Sequence, residues 1–394
     1  MDNAKLRAWW WHRQALDGPR ASLNGADILA RTGWARSVGG CGPYLTMFVR
    51  TGIGREAVDT AVAKLEVHEL PTARGCTYVL PASDFALGLK LAEGSGGGEM
   101  KVAEKLGVTT KEINKLCEAV LQSLEKGPLD PDGIRKAVGK AVRSLGEEGK
   151  KKGLTSTLPV ALGRLQTEGE IRRVPVNGRL DQQRYQYALW RPNPLRDFKM
   201  SSDEAYQEIA RRFFEWIGPA TVGEFQAFAG IGVKAAKTAV EPLKLEPVAA
   251  GDERMLLPVD RTAFETFRPP KDPQYALVSN LDSMFLLRRD LKTLLDPKDM
   301  DRQVVTDKGC GALGGLMDLP SPAILDRGRV VGLWEYDPES ESIAWTAFVK
   351  KDRALQEAVA RMDEYVRTQL GDARSFSLDS PKSRRPRIEG LRKR

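Results

Sequence analysis

The sequence predicts an α+β protein in which three tandem winged-helix motifs precede a small β-rich, barrel-like domain. A unit of helices followed by a two-stranded hairpin recurs three times, and the chain then changes to short β-rich runs. The length of 394 residues agrees, since one domain usually takes roughly 100 to 200 residues. We expect winged-helix modules at residues 1–92, 104–195 and 200–262, a β-rich domain at 263–373 and a disordered basic tail at 374–394.

The first module begins with an amphipathic helix over residues 5–16, which contains three consecutive tryptophans at 9–11. Three consecutive side chains cannot all point to one side of a helix, so at least one tryptophan is expected to meet another domain. A helix over 56–65 is followed by two strand-like runs, at 67–71 and 77–80. A helix followed by a two-stranded hairpin is typical of the end of a winged helix.

The second and third modules repeat this order of elements. The second has predicted helices at 111–126, 131–145 and 158–168, and hairpin strands at 170–174 and 186–190. The third has predicted helices at 205–216, 222–229 and 232–241, and a short wing at 245–248 and 254–258. The segments EKGPLD (125–130) and WIGPAT (216–221) align with one another, which indicates an internal repeat.

The chain from about residue 270 to 371 differs from these modules. Its β-rich runs lie at 275–278, 329–334 and 342–348, and an amphipathic helix follows at 353–370. This pattern predicts a small sheet or barrel that is closed by a helix.

Composition excludes several classes of protein. No run of eighteen apolar residues is present, so no membrane span is expected, and the first twenty residues lack the pattern of a secretion signal. We therefore expect a cytoplasmic protein. The four cysteines show no C-x-x-C spacing and the chain has only two histidines, so we expect no metal, no cofactor and no Ser-His-Asp triad.

The net charge of +8 is concentrated at the C-terminus. From Arg374 onward, eight basic and two acidic residues carry +6, which leaves the other 373 residues nearly neutral. The tail is interpreted either as a disordered arm that contacts phosphates or as a solvated segment without a partner.

Winged helices most often bind duplex DNA, because one helix fits the major groove and the wing reaches neighbouring phosphates. Others are only dimerisation or scaffold domains. Three tandem copies favour duplex DNA as the partner of this chain, and we expect a monomer.

Several segments, taken in their shared order, resemble the YcaQ/AlkZ DNA glycosylases. They are RQAL (13–16), PYLTMFVR (43–50), RG (74–75), LPA (80–82), GPAT (218–221), Asp282, RD (289–290), LDP (295–297) and DRGRVVGLW (326–334). The resemblance runs from about residue 5 to 370. It implies three winged-helix motifs and a C-terminal β-domain around DNA, excision of N7-alkylated guanines, and unhooking of interstrand crosslinks.

The resemblance also implies a Gln-x-Gln or Gln-x-Asp motif, which positions water, just before the Pro-Tyr-Leu segment at 43–45. The corresponding positions carry Arg36, Ser37 and Val38. An arginine cannot accept a proton from water, and valine has no polar atom in its side chain. Water activation by this motif is therefore expected to be lost.

Other residues become candidates for the site. Asp282 is the candidate replacement for the general base, although a cap or turn role is open to it. Arg36 is interpreted as a phosphate or abasic-site contact or as a surface residue, and Arg74 as a phosphate contact or a tie across the wing. Arg288 and Arg289 complete the set of candidate DNA contacts.

Three functions agree with this sequence. The first is a DNA-binding protein whose base excision is lost or altered. The second is a divergent DNA glycosylase that uses another residue, with Asp282 as the candidate. The third is an interaction scaffold that no longer binds DNA.

Overall fold

The first unit surrounds a small antiparallel sheet with helices. The computed structural model describes residues 3–93, 97–182 and 184–393. The elements of this unit are α1 (Asn3–Arg13), α2 (Gly25–Thr32), β1 (Ala35–Arg36), α3 (Gly42–Thr51), α4 (Arg55–Ala63), β2 (Val67–Pro71), β3 (Thr77–Pro81) and α5 (Phe85–Glu93). The strand order is β1-β3-β2. Pro43 stands in the first turn of α3, and Gly52 ends the helix in the left-handed conformation, as expected for helix ends.

The second unit has a hydrophobic core of its own, which includes Ile113, Leu116, Leu158 and Tyr187. Its elements are α6 (Gly97–Lys105), α7 (Thr110–Ser123), α8 (Pro131–Val138), α9 (Gly146–Lys151), α10 (Leu158–Thr167), β4 (Ile171–Pro175) and β5 (Tyr185–Leu189). Strands β4 and β5 pair as an antiparallel hairpin.

The third unit consists of helices with a very short strand pair. Its elements are α11 (Ser202–Ile217), α12 (Val222–Ala229), α13 (Val233–Val240), β6 (Glu246–Pro247), β7 (Met255–Leu256) and α14 (Arg261–Thr266). Capping boxes begin α11 and α12, with Ser201 paired to Glu204 and Thr221 paired to Glu224. In each of the three units helices precede a strand pair, the order that the sequence predicts. That all three are winged helices stays a prediction.

The C-terminal unit is an open sheet. Its elements are β8 (Tyr275–Val278), α15 (Ser283–Leu286), β9 (Gln303–Thr306), β10 (Gly309–Ala312), β11 (Ala323–Asp326), β12 (Arg329–Asp337), β13 (Ser342–Ala347), α16 (Arg353–Tyr365) and α17 (Pro381–Arg392). The order β13-β12-β11-β8 leaves two edges, and β9 pairs with β10 as a separate hairpin. Over the described residues the strands form no closed barrel, so of the two expected forms, a small sheet or a barrel, the structure has the sheet. The helices α16 and α17 pack against the sheet instead.

One hydrophobic core joins the first, third and C-terminal units, so it crosses the predicted boundaries. The three tryptophans of α1 are buried in or beside it and donate hydrogen bonds to other units. Trp9 and Trp10 donate to the carbonyls of Gly218 and Pro219, and Trp11 donates to the Gln274 side chain. The expectation that a tryptophan meets another domain is confirmed.

The basic tail contains the helix α17 (Pro381–Arg392), which corrects the prediction of disorder. Ser380 caps α17 and Pro381 stands in its first turn. Ile388 and Leu391 are buried against the sheet unit. Three arginines of the helix, Arg384, Arg387 and Arg392, pair with carboxylates outside it, for example Arg387 with the buried Glu335 at 2.9 Å. Because these arginines are paired with carboxylates, their positive charges do not keep the helix from packing on the sheet.

None of the helices within the described ranges has the length and apolar character needed to cross a membrane.

Candidate nucleic-acid interface and excision site

The segment at residues 36–38, called the motif segment below, continues the edge strand β1. Arg36 pairs with Tyr78 across the sheet, and the Ser37 amide donates to the Thr77 carbonyl at 3.0 Å. Because side chains alternate along extended chain, Ser37 points away from its two neighbours. Its hydroxyl donates to the Glu69 carboxylate at 2.5 Å. Arg36 and Val38 both line one large cavity.

Arg36 is a half-buried cation with a defined position. Its guanidinium donates to the Thr77 carbonyl at 2.8 Å and lies 5.3 Å from the centre of the Tyr78 ring. Burial raises the pKa of Tyr78 to about 12, so this phenol is neutral beside the arginine. The motif segment therefore presents one positive charge and one apolar side chain to the cavity.

The cavity that Arg36 and Val38 line, called the Arg36 cavity, has a volume of about 600 Å³. This lies within the range of about 300–1,000 Å³ that is usual for small-molecule sites. Its lining combines cations, carboxylates and aromatic rings. They are Arg36, Arg74, Arg289, Lys308 and Arg387; Asp307, Asp318 and Asp379; and Tyr78, Phe228 and Phe376.

Two neighbouring cavities extend this depression. One, of about 390 Å³, shares Arg36, Val38 and Phe376 with the Arg36 cavity. The other, of about 670 Å³, lies between the first hairpin and α10, and shares Arg74 with the Arg36 cavity. The three cavities lie next to one another and share lining residues, and they are together called the groove below. It runs from the second unit to the β9–β10 hairpin.

Residues 374–379, called the C-terminal segment, form one wall of the Arg36 cavity beside the motif segment. The Ser377 amide donates to the Val38 carbonyl at 3.1 Å, and the Cys41 amide donates to the Arg374 carbonyl at 3.0 Å. At Gly40 a Cβ atom would lie 2.2 Å from the Ser375 carbonyl oxygen, so only glycine permits this approach. The C-terminal segment is thus packed on the chain that carries the motif segment.

Two of the predicted DNA contacts, Arg74 and Arg289, are exposed in the groove. Both have left-handed backbone angles, with φ of 61° and 52°. Arg74 also donates to the Ala227 carbonyl at 2.9 Å, which ties the first hairpin to the third unit. The tie that the structure shows runs to the third unit and not across the wing, and the phosphate contact of Arg74 stays a prediction.

The remaining predicted DNA contact, Arg288, is buried outside this surface. Its guanidinium carbon lies 3.3 Å from the centre of the Trp10 ring, and its Nε atom lies 3.3 Å from the Glu224 carboxylate. Burial lowers the pKa of Arg288 below its usual value. With 3% of the residue exposed, Arg288 holds units together and cannot reach DNA.

Asp282, the candidate general base, is likewise enclosed. Both carboxylate oxygens accept hydrogen bonds from Arg50 at 2.8 Å, and one also accepts from the Met284 amide at the start of α15. Its side chain is not exposed to solvent, and it is not part of the lining of the Arg36 cavity. This placement contradicts water activation by Asp282 and agrees with its alternative role as a helix cap.

Sequence reasoning missed the contribution of the C-terminal residues. Phe376, Asp379 and Arg387 line the cavity, yet they lie in the stretch expected to be disordered. A signal was present, because Ser380-Pro381 is a helix start and buried positions follow at helical spacing. Pro386 inside the helix argued against this signal.

The described residues contain no group of three or more His, Cys, Asp or Glu side chains that could hold a metal ion.

Comparison with known proteins relates this chain to DNA glycosylases. The family model described as "DNA glycosylase AlkZ-like" matches residues 41–370, a range that begins after the motif segment and ends before the C-terminal segment. An interstrand DNA cross-link repair glycosylase of Streptomyces sahachiroi is 25% identical over 373 residues, which cover 93% of this chain and 96% of that protein.

The solved structure of Streptomyces sahachiroi DNA glycosylase AlkZ has the same fold. It matches with a TM-score of 0.70 at 20% identity and covers 95% of this chain and 98% of that one. The family model spans most of the chain, and the fold agrees over nearly all of it. The chain therefore belongs to the AlkZ-like family of DNA glycosylases.

Proposed function

We propose that this protein binds duplex DNA along the groove and that its base excision is altered at the motif segment. The observation that carries the proposal is the convergence of Arg36, Arg74 and Arg289 on one cavity. Cations on one surface are the electrostatic footprint of a nucleic-acid binder, because they replace the counterions of the phosphates.

The altered chemistry follows from Arg36 and Val38. Hydrolysis of a glycosidic bond develops positive charge on the sugar, and a guanidinium opposes that charge. Neither side chain can accept a proton from water. Ser37 keeps a hydroxyl, but the hydroxyl is committed to Glu69 and the residue is buried.

Fluorescence anisotropy of a short labelled duplex at several salt concentrations tests DNA binding. We expect the affinity to fall steeply with salt, and Arg289→Gln to reduce the slope of log affinity against log salt by about one. Arg353→Gln is the matched control, because its side chain on α16 is 92% exposed and outside the groove lining described above. No binding by the wild type at low salt would leave the scaffold function.

A second candidate function, base excision by a different residue, is supported by the carboxylates of the Arg36 cavity. Asp307, Asp318 and Asp379 line it together with Arg36. A carboxylate can accept a proton from water and stabilises a cationic sugar, whereas Arg36 and Val38 can do neither. Asp379 lies two residues after Ser377, whose amide donates a hydrogen bond to the Val38 carbonyl. This contact brings Asp379 close to the motif segment.

Incubation of the protein with a duplex that carries an alkylated guanine, followed by alkali, detects excision as strand breaks. Breaks above the no-enzyme control would support this second function. The carboxylate that carries out excision is then identified with three variants, Asp307→Asn, Asp318→Asn and Asp379→Asn. The strand breaks should be lost in only one of them. Binding without breaks supports the first proposal.

A further inference from the structure

Phe376 is an exposed aromatic side chain that lines two of the three cavities of the groove. It is 41% exposed, and it is the only aromatic residue among the large exposed apolar side chains of the described chain. It lines both the Arg36 cavity and its neighbour, beside Val38. Leu378, two residues later, is 90% exposed.

The C-terminal segment holds Phe376 in a defined position. The Ser375 hydroxyl donates to the Asn280 side chain at 2.7 Å, and the Ser377 amide donates to the Val38 carbonyl. The Phe376 amide donates to the Asp379 carboxylate at 3.0 Å. Residues on both sides of Phe376 are thus bonded to other parts of the site, and its ring is exposed although its backbone is anchored.

The surroundings of this ring fit a nucleic-acid base. Single exposed apolar side chains are common on proteins, but Phe376 lies in a cavity that is also lined by Arg36, Arg74 and Arg289. An aromatic ring among cations is the combination that binds unstacked nucleotides, because the ring stacks on the base while the cations meet the phosphates. The cavity volume of about 600 Å³ leaves room for a displaced base.

We propose that Phe376 stacks on a nucleobase that has left the duplex stack, so that the C-terminal segment supplies a base-binding subsite. The inference rests on the proposed binding of duplex DNA. It assigns a direct ligand contact to a segment that lies outside the part of the chain matched by the family model.

The test compares the affinity of the full-length protein for two duplexes, one fully paired and one with a single mismatch. A mismatched base leaves the stack more readily, so the wild type should prefer the mismatched duplex. We expect Phe376→Ala to weaken binding to the mismatched duplex by roughly tenfold and to the paired duplex by much less. Phe376→Tyr should retain the preference, since a second aromatic ring restores stacking.

Met200→Ala is the matched control, because Met200 is 40% exposed and lies on the segment before α11. Replacing an adenine beside the mismatch with 2-aminopurine gives a second measurement, since its fluorescence rises when the base unstacks. If Phe376→Ala kept the wild-type preference for the mismatched duplex and the wild-type 2-aminopurine fluorescence, the inference about Phe376 would be overturned. The proposed binding of duplex DNA would be unaffected. A wild type that binds neither duplex at low salt would overturn both this inference and the proposed function.

Discussion

The guanidinium of Arg50 and the carboxylate of Asp282 form a fully buried ion pair with two hydrogen bonds of 2.8 Å. The two residues are 232 positions apart in the chain. The pair joins α3 of the first unit to the start of α15 in the C-terminal unit. The ion pair therefore gives Asp282 a structural role.

Replacing Asp282 with Asn should lower the free energy of unfolding by about 3–5 kcal/mol, because Arg50 is left as an unpaired buried charge. Asparagine caps helices as well as aspartate, so the change isolates the loss of the ion pair. Urea unfolding measures the difference. A stable variant that lost base excision would instead point to a catalytic Asp282. Asp301→Asn, at an exposed position, is the control and should stay within about 0.5 kcal/mol of the wild type.

Arg288 and Arg289 are adjacent in sequence but should respond differently to substitution. Arg288→Gln removes the cation from Trp10 and Glu224, so we expect a lower melting temperature and an unchanged salt slope of DNA binding. Arg289→Gln should change the slope and leave the melting temperature nearly unchanged, because Arg289 is exposed. Thermal melting and fluorescence anisotropy of both variants test this difference. A changed salt slope for Arg288→Gln together with a lower melting temperature for Arg289→Gln would contradict it.

His68 should make stability depend on pH. It is fully buried beside Phe85 and Trp190, and burial lowers its pKa to about 3. Between about pH 6.5 and about pH 3 the unfolded chain binds a proton that the folded chain does not. Stability therefore falls as the pH drops through this window, by up to about 1.4 kcal/mol per pH unit from this residue.

His68→Leu should remove that share of the pH dependence. Urea unfolding of both proteins at about pH 7 and about pH 5 measures it, and the wild type should lose more stability on acidification than the variant. Equal losses would mean that His68 can be protonated in the folded protein.

The docked helix α17 gives a test of the C-terminal region. Ile388 is 4% exposed, so Ile388→Ala should cost about 2–5 kcal/mol of stability if the helix is packed on the sheet. Lys382→Ala, at an exposed position of the same helix, should have little effect. A disordered tail would make both variants indistinguishable from the wild type in urea unfolding.

Local patterns in the sequence predicted most of the helices and strands. The periods of 3.6 and 2 residues are properties of neighbouring positions, so α12 was predicted at its observed bounds and β2 at its observed residues. The motif segment could also be located from sequence, because the family resemblance places it just before the Pro-Tyr-Leu segment at 43–45, where this chain has Arg36 and Val38.

The sequence by itself determined the family resemblance, the order of helices and hairpins, and the absence of glutamine from the motif segment. Only the tertiary structure decided which of the side chains are exposed to a ligand and which are buried. Asp282 is buried by Arg50, Arg288 is buried by Trp10, and Phe376 is brought beside Val38, all across long separations in the chain. Local periodicity carries no information about such contacts, because packing between distant segments sets them.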